Sequence, residues 1–228
     1  MAGEGEYGRE ASGDREDVFP HDRVVFFSDA VFAIAITLLA IELRLPGKEL
    51  IERVGESAAY QETVPLFVSY FISFAVTGLF WSTHMQTWKH VRRVNARLVW
   101  CTLLQLMFVA LMPFATREYS EAFSAHAPGR SAFYAFVLTM IALFSLLTRH
   151  VVIRQEHLVE SEGRASVRWM YGRGLVSLVL FAAAIPLAFV LPTWTTGLIF
   201  FLIFPVSRIV RHACFRHVEA VEAKEPVA

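Results

Sequence analysis

Residues 23–45 read RVVFFSDAVFAIAITLLAIELRL. About 20 consecutive apolar residues suffice for a helix to cross the roughly 30 Å hydrocarbon layer of a bilayer, so this run predicts a membrane-spanning helix. It carries an acid, Asp29, six residues inside Arg23. A charge in the hydrocarbon costs at least about 2.5 kcal/mol on insertion scales, which makes Asp29 a candidate functional residue.

The rest of the chain repeats the apolar pattern. Of its 228 residues, 55% are hydrophobic and 18% charged, and the apolar residues fall in blocks. Uncharged runs cover 63–88, 98–116, 131–148 and 174–207. The last is long enough for two spans, and Leu191-Pro192-Thr193 divides it. The expectation is an all-α integral membrane protein of six helices, with spans near 24–45, 63–88, 98–116, 131–149, 173–191 and 193–211. They make one channel-sized unit, 23–212, between an acidic, glycine-interrupted tail (1–22) expected to be disordered and a second tail (213–228). Helix 1 reads as an uncleaved first insertion signal. Sixteen of the 21 Lys and Arg residues fall on one side of this arrangement, which places both termini in the cytoplasm. The acidic stretch 46–62 then reads as an outward loop, and a solvated one, since charge runs usually face water. No internal repeat is found, so a pore needs several copies of the chain.

Several classes are disfavoured. Net charge is zero, which gives no global field for nucleic acid. Cys101 and Cys214 have no metal or disulfide spacing and read as free thiols. His84 and His90 lack the i, i+4 spacing of a shared metal on one helix face. No nucleophile elbow, HExxH or phosphate loop is present, so no enzyme and no cofactor is expected. Trp81, Trp88 and Trp100 suit an interfacial aromatic belt. Ser69, Ser73 and Thr77 form a small-residue ridge for close helix packing, and Pro113, Pro186 and Pro205 predict kinks.

At about 100° per residue, Phe27, Ile34, Leu38, Ile41 and Leu45 fall within about 60° of one another, whereas Asp29 lies on the far side. Two assignments fit. Asp29 lines a watery path and the stripe faces lipid or protein, or Asp29 is buried with partners and the stripe lines a narrow pore. Ordinary helix packing also produces such stripes. In antiparallel neighbours Asp29 and His84 share a depth near the cytoplasmic leaflet, so an Asp29–His84 pair within a cluster of Arg23, Ser28, Asp29 and His84 is expected. Asn95 suits the cap of the third helix. The competing use of Asp29 and His84 is a proton pathway or proton-coupled transporter.

Arg23, Phe27-Ser28-Asp29, the continuation AVFAIAITLLAIEL, Thr37 and the closing Glu42 resemble, in order and spacing, the first-helix signature of the transmembrane protein 175 family. FWSTH (80–84) and MPFAT (112–116) are weaker echoes. The resemblance is to bacterial relatives of the lysosomal and endosomal potassium channel. It implies a homotetramer of six-helix subunits in the plasma membrane, around a central potassium-permeable pore lined by helix 1. It implies Ile34 as the constriction, with Leu38 and Ile41 as further apolar rings and Thr37 and Leu45 also lining the pore. It implies a structural hydrogen-bond network from Phe27, Ser28 and Asp29. Partners are then further copies of the chain and the bilayer, and the potassium ion is the permeant species rather than a cofactor.

Overall fold

The computed structural model describes residues 19–125, 127–156 and 163–194, and every regular element among them is helical. Helix α1 (His21–Leu38) continues into a 3-10 turn, Leu39–Glu42. A short α2 (Lys48–Val54) precedes the long α3 (Glu56–Trp88). Then come α4 (Ala96–Ala110), α5 (Met112–Ala125), α6 (Pro128–Gln155) and α7 (Gly163–Leu187). Four segments are long and apolar enough to cross a membrane: His21–Glu42, Glu56–Trp88, Pro128–Gln155 and Val167–Leu187. Helices α4 and α5 together can make a fifth, bent by 40°. Helices suit this composition because hydrocarbon offers no partner for backbone N–H and C=O groups, and a helix satisfies both internally. The sixth expected span lies outside the described residues apart from Thr193 and Trp194, as do residues 1–18, the 213–228 tail, Pro205 and Cys214.

The bend at Leu111 has a sequence cause. Pro113 has no N–H, so the carbonyl four residues earlier loses its helical donor. The chain breaks there and resumes, with the Ala115 N–H donating to Leu111 O at 2.9 Å. The start of α4 is fixed by Asn95, whose Oδ1 accepts from the Leu98 N–H at 2.9 Å.

The 46–62 stretch differs from the expected loop. Most of it is helical, in α2 and the first turns of α3. Glutamate is a good helix former, so the acids that suggested a loop do not prevent helix. Gly55 separates the two helices at φ 84°, in the left-handed region that favours glycine.

A central core joins Phe32 and Ala35 of α1 with Val76 and Phe80 of α3, Leu106 of α4, Met112 of α5, Leu138 of α6 and Phe181 of α7. Ser69, Ser73 and Thr77 are all buried on one ridge of α3. Ser73 Oγ pairs with Tyr134 Oη at 2.9 Å and accepts from Thr116 Oγ1 at 2.7 Å, which ties α3 to α5 and α6. A second cluster, including Trp88, Val94, Leu98, Val152 and Val167, closes the end where α1, α4 and α7 begin and α3 and α6 finish. Arg23, Lys89, Arg92, Arg93, Arg97, Arg154 and Arg168 belong to that same end, as a single side of the membrane requires.

Candidate functional site

Helix α1 presents two unlike faces. Ser28, Phe32, Ala35 and Leu39 are packed into the bundle. Phe27, Ile34 and Leu38 are bare in the single chain, with Ile34 58% exposed. Ile41 (64% exposed) and Leu45 are bare too, but the α-helix expected to run to 45 ends at Leu38, so Ile41 sits in the 3-10 turn and Leu45 in the non-helical stretch beyond it. Within α1 the spacing explains the division, since i, i+4 and i, i+7 place Ser28, Phe32 and Ala35 on one side of a 3.6-residue turn and Phe27, Ile34 and Leu38 on the other. Thr37 shares the bare face. Its Oγ1 donates to Ile34 O at 2.9 Å, so the oxygen keeps its lone pairs for another partner.

Asp29 is held by Trp81. The indole Nε1–H of Trp81 donates to Asp29 Oδ1 at 2.9 Å, linking α1 to α3. Indole N–H is a donor only, so it suits a carboxylate that needs a donor near the membrane interior. This partner replaces the expected His84. The His84 ring is only 2% exposed and lies between Phe32 and Trp88, each with its ring centroid 5.6 Å away. Asp29 reaches His84 as a neighbouring charge rather than as a hydrogen-bond partner. Gln105 of α4 is the polar side chain at hydrogen-bonding range of His84, although the pair misses ideal geometry.

The other expected members of the cluster do not converge on Asp29. Ser28 Oγ donates back to Val24 O at 2.8 Å, as a hydroxyl inside a helix commonly does. Phe27 stands on the bare stripe, and Arg23 is exposed at the start of α1. Asn95 caps α4, and its Nδ2 donates to Gln155 Oε1 at 3.0 Å at the end of α6. Two polar residues that matter were not singled out for this role. Trp81 passed as a belt residue, although a donor-only side chain within reach of an intramembrane acid was a usable signal. Gln105 stands alone in the run LLQLM, and a polar residue there was a second one. Among the described residues no group of three or more His, Cys, Asp or Glu converges to hold a metal.

These features define a polytopic α-helical membrane protein whose first span leaves an apolar stripe bare. Comparison with known proteins narrows the class. Residues 23–113 match the family described as endosomal/lysosomal potassium channel TMEM175. A protein of Chamaesiphon minutus named as a potassium channel is 32% identical over 168 residues, covering 70% of this chain and 82% of that protein. One of a Chryseobacterium species, named likewise, is 34% identical over 135 residues, covering 59% of this chain and 66% of the relative. The crystal structure of a lysosomal potassium-selective channel TMEM175 homolog from Chamaesiphon minutus superposes with a TM-score of 0.70 at 25% identity, covering 83% of this chain and 97% of that one. Human TMEM175, named an endosomal/lysosomal proton channel, is 36% identical over 115 residues, which is 48% of this chain but 23% of the human protein. The chain belongs to the TMEM175 family, which is a family of channels rather than enzymes.

Proposed function

We propose that this chain is a potassium-permeable cation channel of a cell membrane. Four identical copies surround an axis lined by α1, with both termini in the cytoplasm. The observation that carries the reading is the bare stripe of α1 in a chain of this family. The stripe is too apolar to face water alone, and one unrepeated chain has no second copy of α1 to close a pore. Copies related by a rotation axis can bring the stripes together, as closed symmetry favours.

Ile34, Leu38 and Ile41 then form stacked apolar rings, with Ile34 the constriction. Such rings gate by dewetting, and an ion crosses them only by shedding part of its water. The lone pairs of Thr37 Oγ1, left outward by its bond to Ile34 O, offer a weak substitute for that water. The Asp29–Trp81 bond and the buried Ser28 and Phe32 hold one side of α1 against its own bundle, which supports the reading that the opposite stripe faces the axis. The test is potassium flux into liposomes containing the purified protein, with a sodium control. Potassium-preferring, non-saturating flux supports the reading, and Ile34→Asn raises the leak by wetting the ring. Unchanged flux in I34N places the constriction elsewhere, and a monomer by native mass spectrometry removes the axis.

A second reading is a proton route or proton-coupled transporter using Asp29 and His84. It is favoured by the buried His84, which has Gln105 at hydrogen-bonding range and the Asp29 charge nearby, and by the animal relatives named proton channels. It predicts pH-gradient-driven flux that disappears in Asp29→Asn while potassium flux persists.

A further inference from the structure

We propose that the cavity between α3, α6 and α7 binds a phosphate group, carried by an anionic lipid headgroup or by a soluble phosphate. The cavity has a volume of about 230 Å³, ample for a tetrahedral oxyanion, and Arg149, Arg173 and Lys89 are among its lining residues. It lies toward the basic end of the bundle, where pockets between membrane helices take lipid phosphates.

Charge without counter-charge among the described residues is the central observation. Arg149 is only 2% exposed, and its one recorded bond runs from Nη1 to the carbonyl of Met170. Arg173 donates through Nη1 to Gln86 Oε1 at 3.0 Å and through Nη2 to Thr83 Oγ1. None of these acceptors is a carboxylate. The two guanidiniums are close enough to repel each other. A guanidinium stays protonated and carries five N–H donors, so these bonds leave donors unused on both side chains. Burying cations without an opposite charge is costly, and intramembrane arginines usually mark a functional site. His90 also lines the cavity but has partners of its own, Gln86 O among them.

The backbone makes room for this arrangement. At Gly174 of α7 a Cβ would stand 2.5 Å from Arg149 Nη1 and 2.8 Å from Leu146 Cδ1. Glycine there lets α7 close over the guanidinium, so the buried cation is built into the helix contact. An oxyanion in the cavity supplies the missing charge and accepts the planar, forked donors that arginine presents to phosphate. Lys89, exposed at the end of α3, adds a point charge at the rim.

The test is thermal unfolding of the full chain in neutral detergent at fixed ionic strength. The probes are short-chain phosphatidylglycerol and sodium phosphate, with phosphatidylcholine and sodium chloride as controls. A phosphate-bearing probe raises the unfolding midpoint by several degrees where the controls do not. In Arg173→Gln and Lys89→Gln the half-saturating concentration rises about tenfold, a change that a purely structural role for these residues would not produce. A shift with phosphatidylglycerol alone identifies a lipid headgroup, and an equal shift with inorganic phosphate identifies a soluble anion. No shift with either probe, or one that survives unchanged in both variants, overturns the proposal. The outcome is independent of whether the chain conducts potassium.

Discussion

Replacing Trp81 by Phe tests the contact that orients α1. The substitution keeps most of the ring and removes the Nε1–H that donates to Asp29 Oδ1 at 2.9 Å. A hydrogen bond to a charged group is worth about 1.5–3 kcal/mol. Trp81 and Asp29 are both partly exposed, so water competes for the bond and about 1 kcal/mol is the expected share. The single substitution also loses apolar surface, which a double-mutant cycle with Asp29→Ala removes from the comparison. W81F and D29A each destabilise, and the double variant is more stable than their sum predicts by about 1 kcal/mol, a factor of about 5 in the folding equilibrium. The assay is equilibrium unfolding of the purified protein in detergent, read by tryptophan-independent circular dichroism. Additivity within about 0.3 kcal/mol would refute the reasoning, because Asp29 would then be held by something other than Trp81.

Two further substitutions follow from the geometry. Asn95→Ala removes the cap of α4 and the link to Gln155, and it should cost about 1–2 kcal/mol in the same unfolding assay. Asn95→Asp keeps the accepting oxygen and should recover the cap share alone. Gly174→Ala places a methyl group 2.5 Å from Arg149 Nη1 and should cost about 1–3 kcal/mol by overpacking. The check is the folded fraction recovered by gel filtration after detergent extraction, and recovery equal to the parent chain contradicts the close approach of α6 and α7.

The parts of the fold visible in the sequence are those set by local chemistry. The uncharged runs mark the apolar helices because hydrocarbon forces backbone bonding inward. Pro113 marks the bend between α4 and α5 because a missing N–H acts within one turn. Asn95 marks a helix start for the same local reason. Features that depend on tertiary placement were not readable. Trp81 stands 52 residues from Asp29, and only the packing of α1 on α3 decides that it, rather than His84, reaches the carboxylate. The expected span 131–149 ended on Arg149, the first charge after an uncharged run, yet α6 continues to Gln155 and Arg149 is buried. The acids of 46–62 suggested a loop because charge signals exposure, but exposure and helix are compatible. On α1 the stripe from Phe27 to Leu38 was legible by angle, whereas the change to a 3-10 turn at Leu39 and to extended backbone at Leu43 was not. That this stripe is bare while Ser28, Phe32, Ala35 and Leu39 are covered came only from the packed bundle.

The most direct test of the pore face is thiol accessibility at its centre. Cys101 and Cys214 are first replaced by Ser, and Ile34→Cys is introduced in that background, reconstituted in liposomes. A small cationic methanethiosulfonate reagent, which enters water-filled paths but not lipid, is then added during potassium flux. If α1 lines the pore, the reagent stops flux in the Ile34→Cys protein and leaves the cysteine-free parent unaffected. Undiminished flux, with Ile34→Cys labelled only by lipid-soluble maleimide, would show that the stripe faces the bilayer and that ions pass elsewhere.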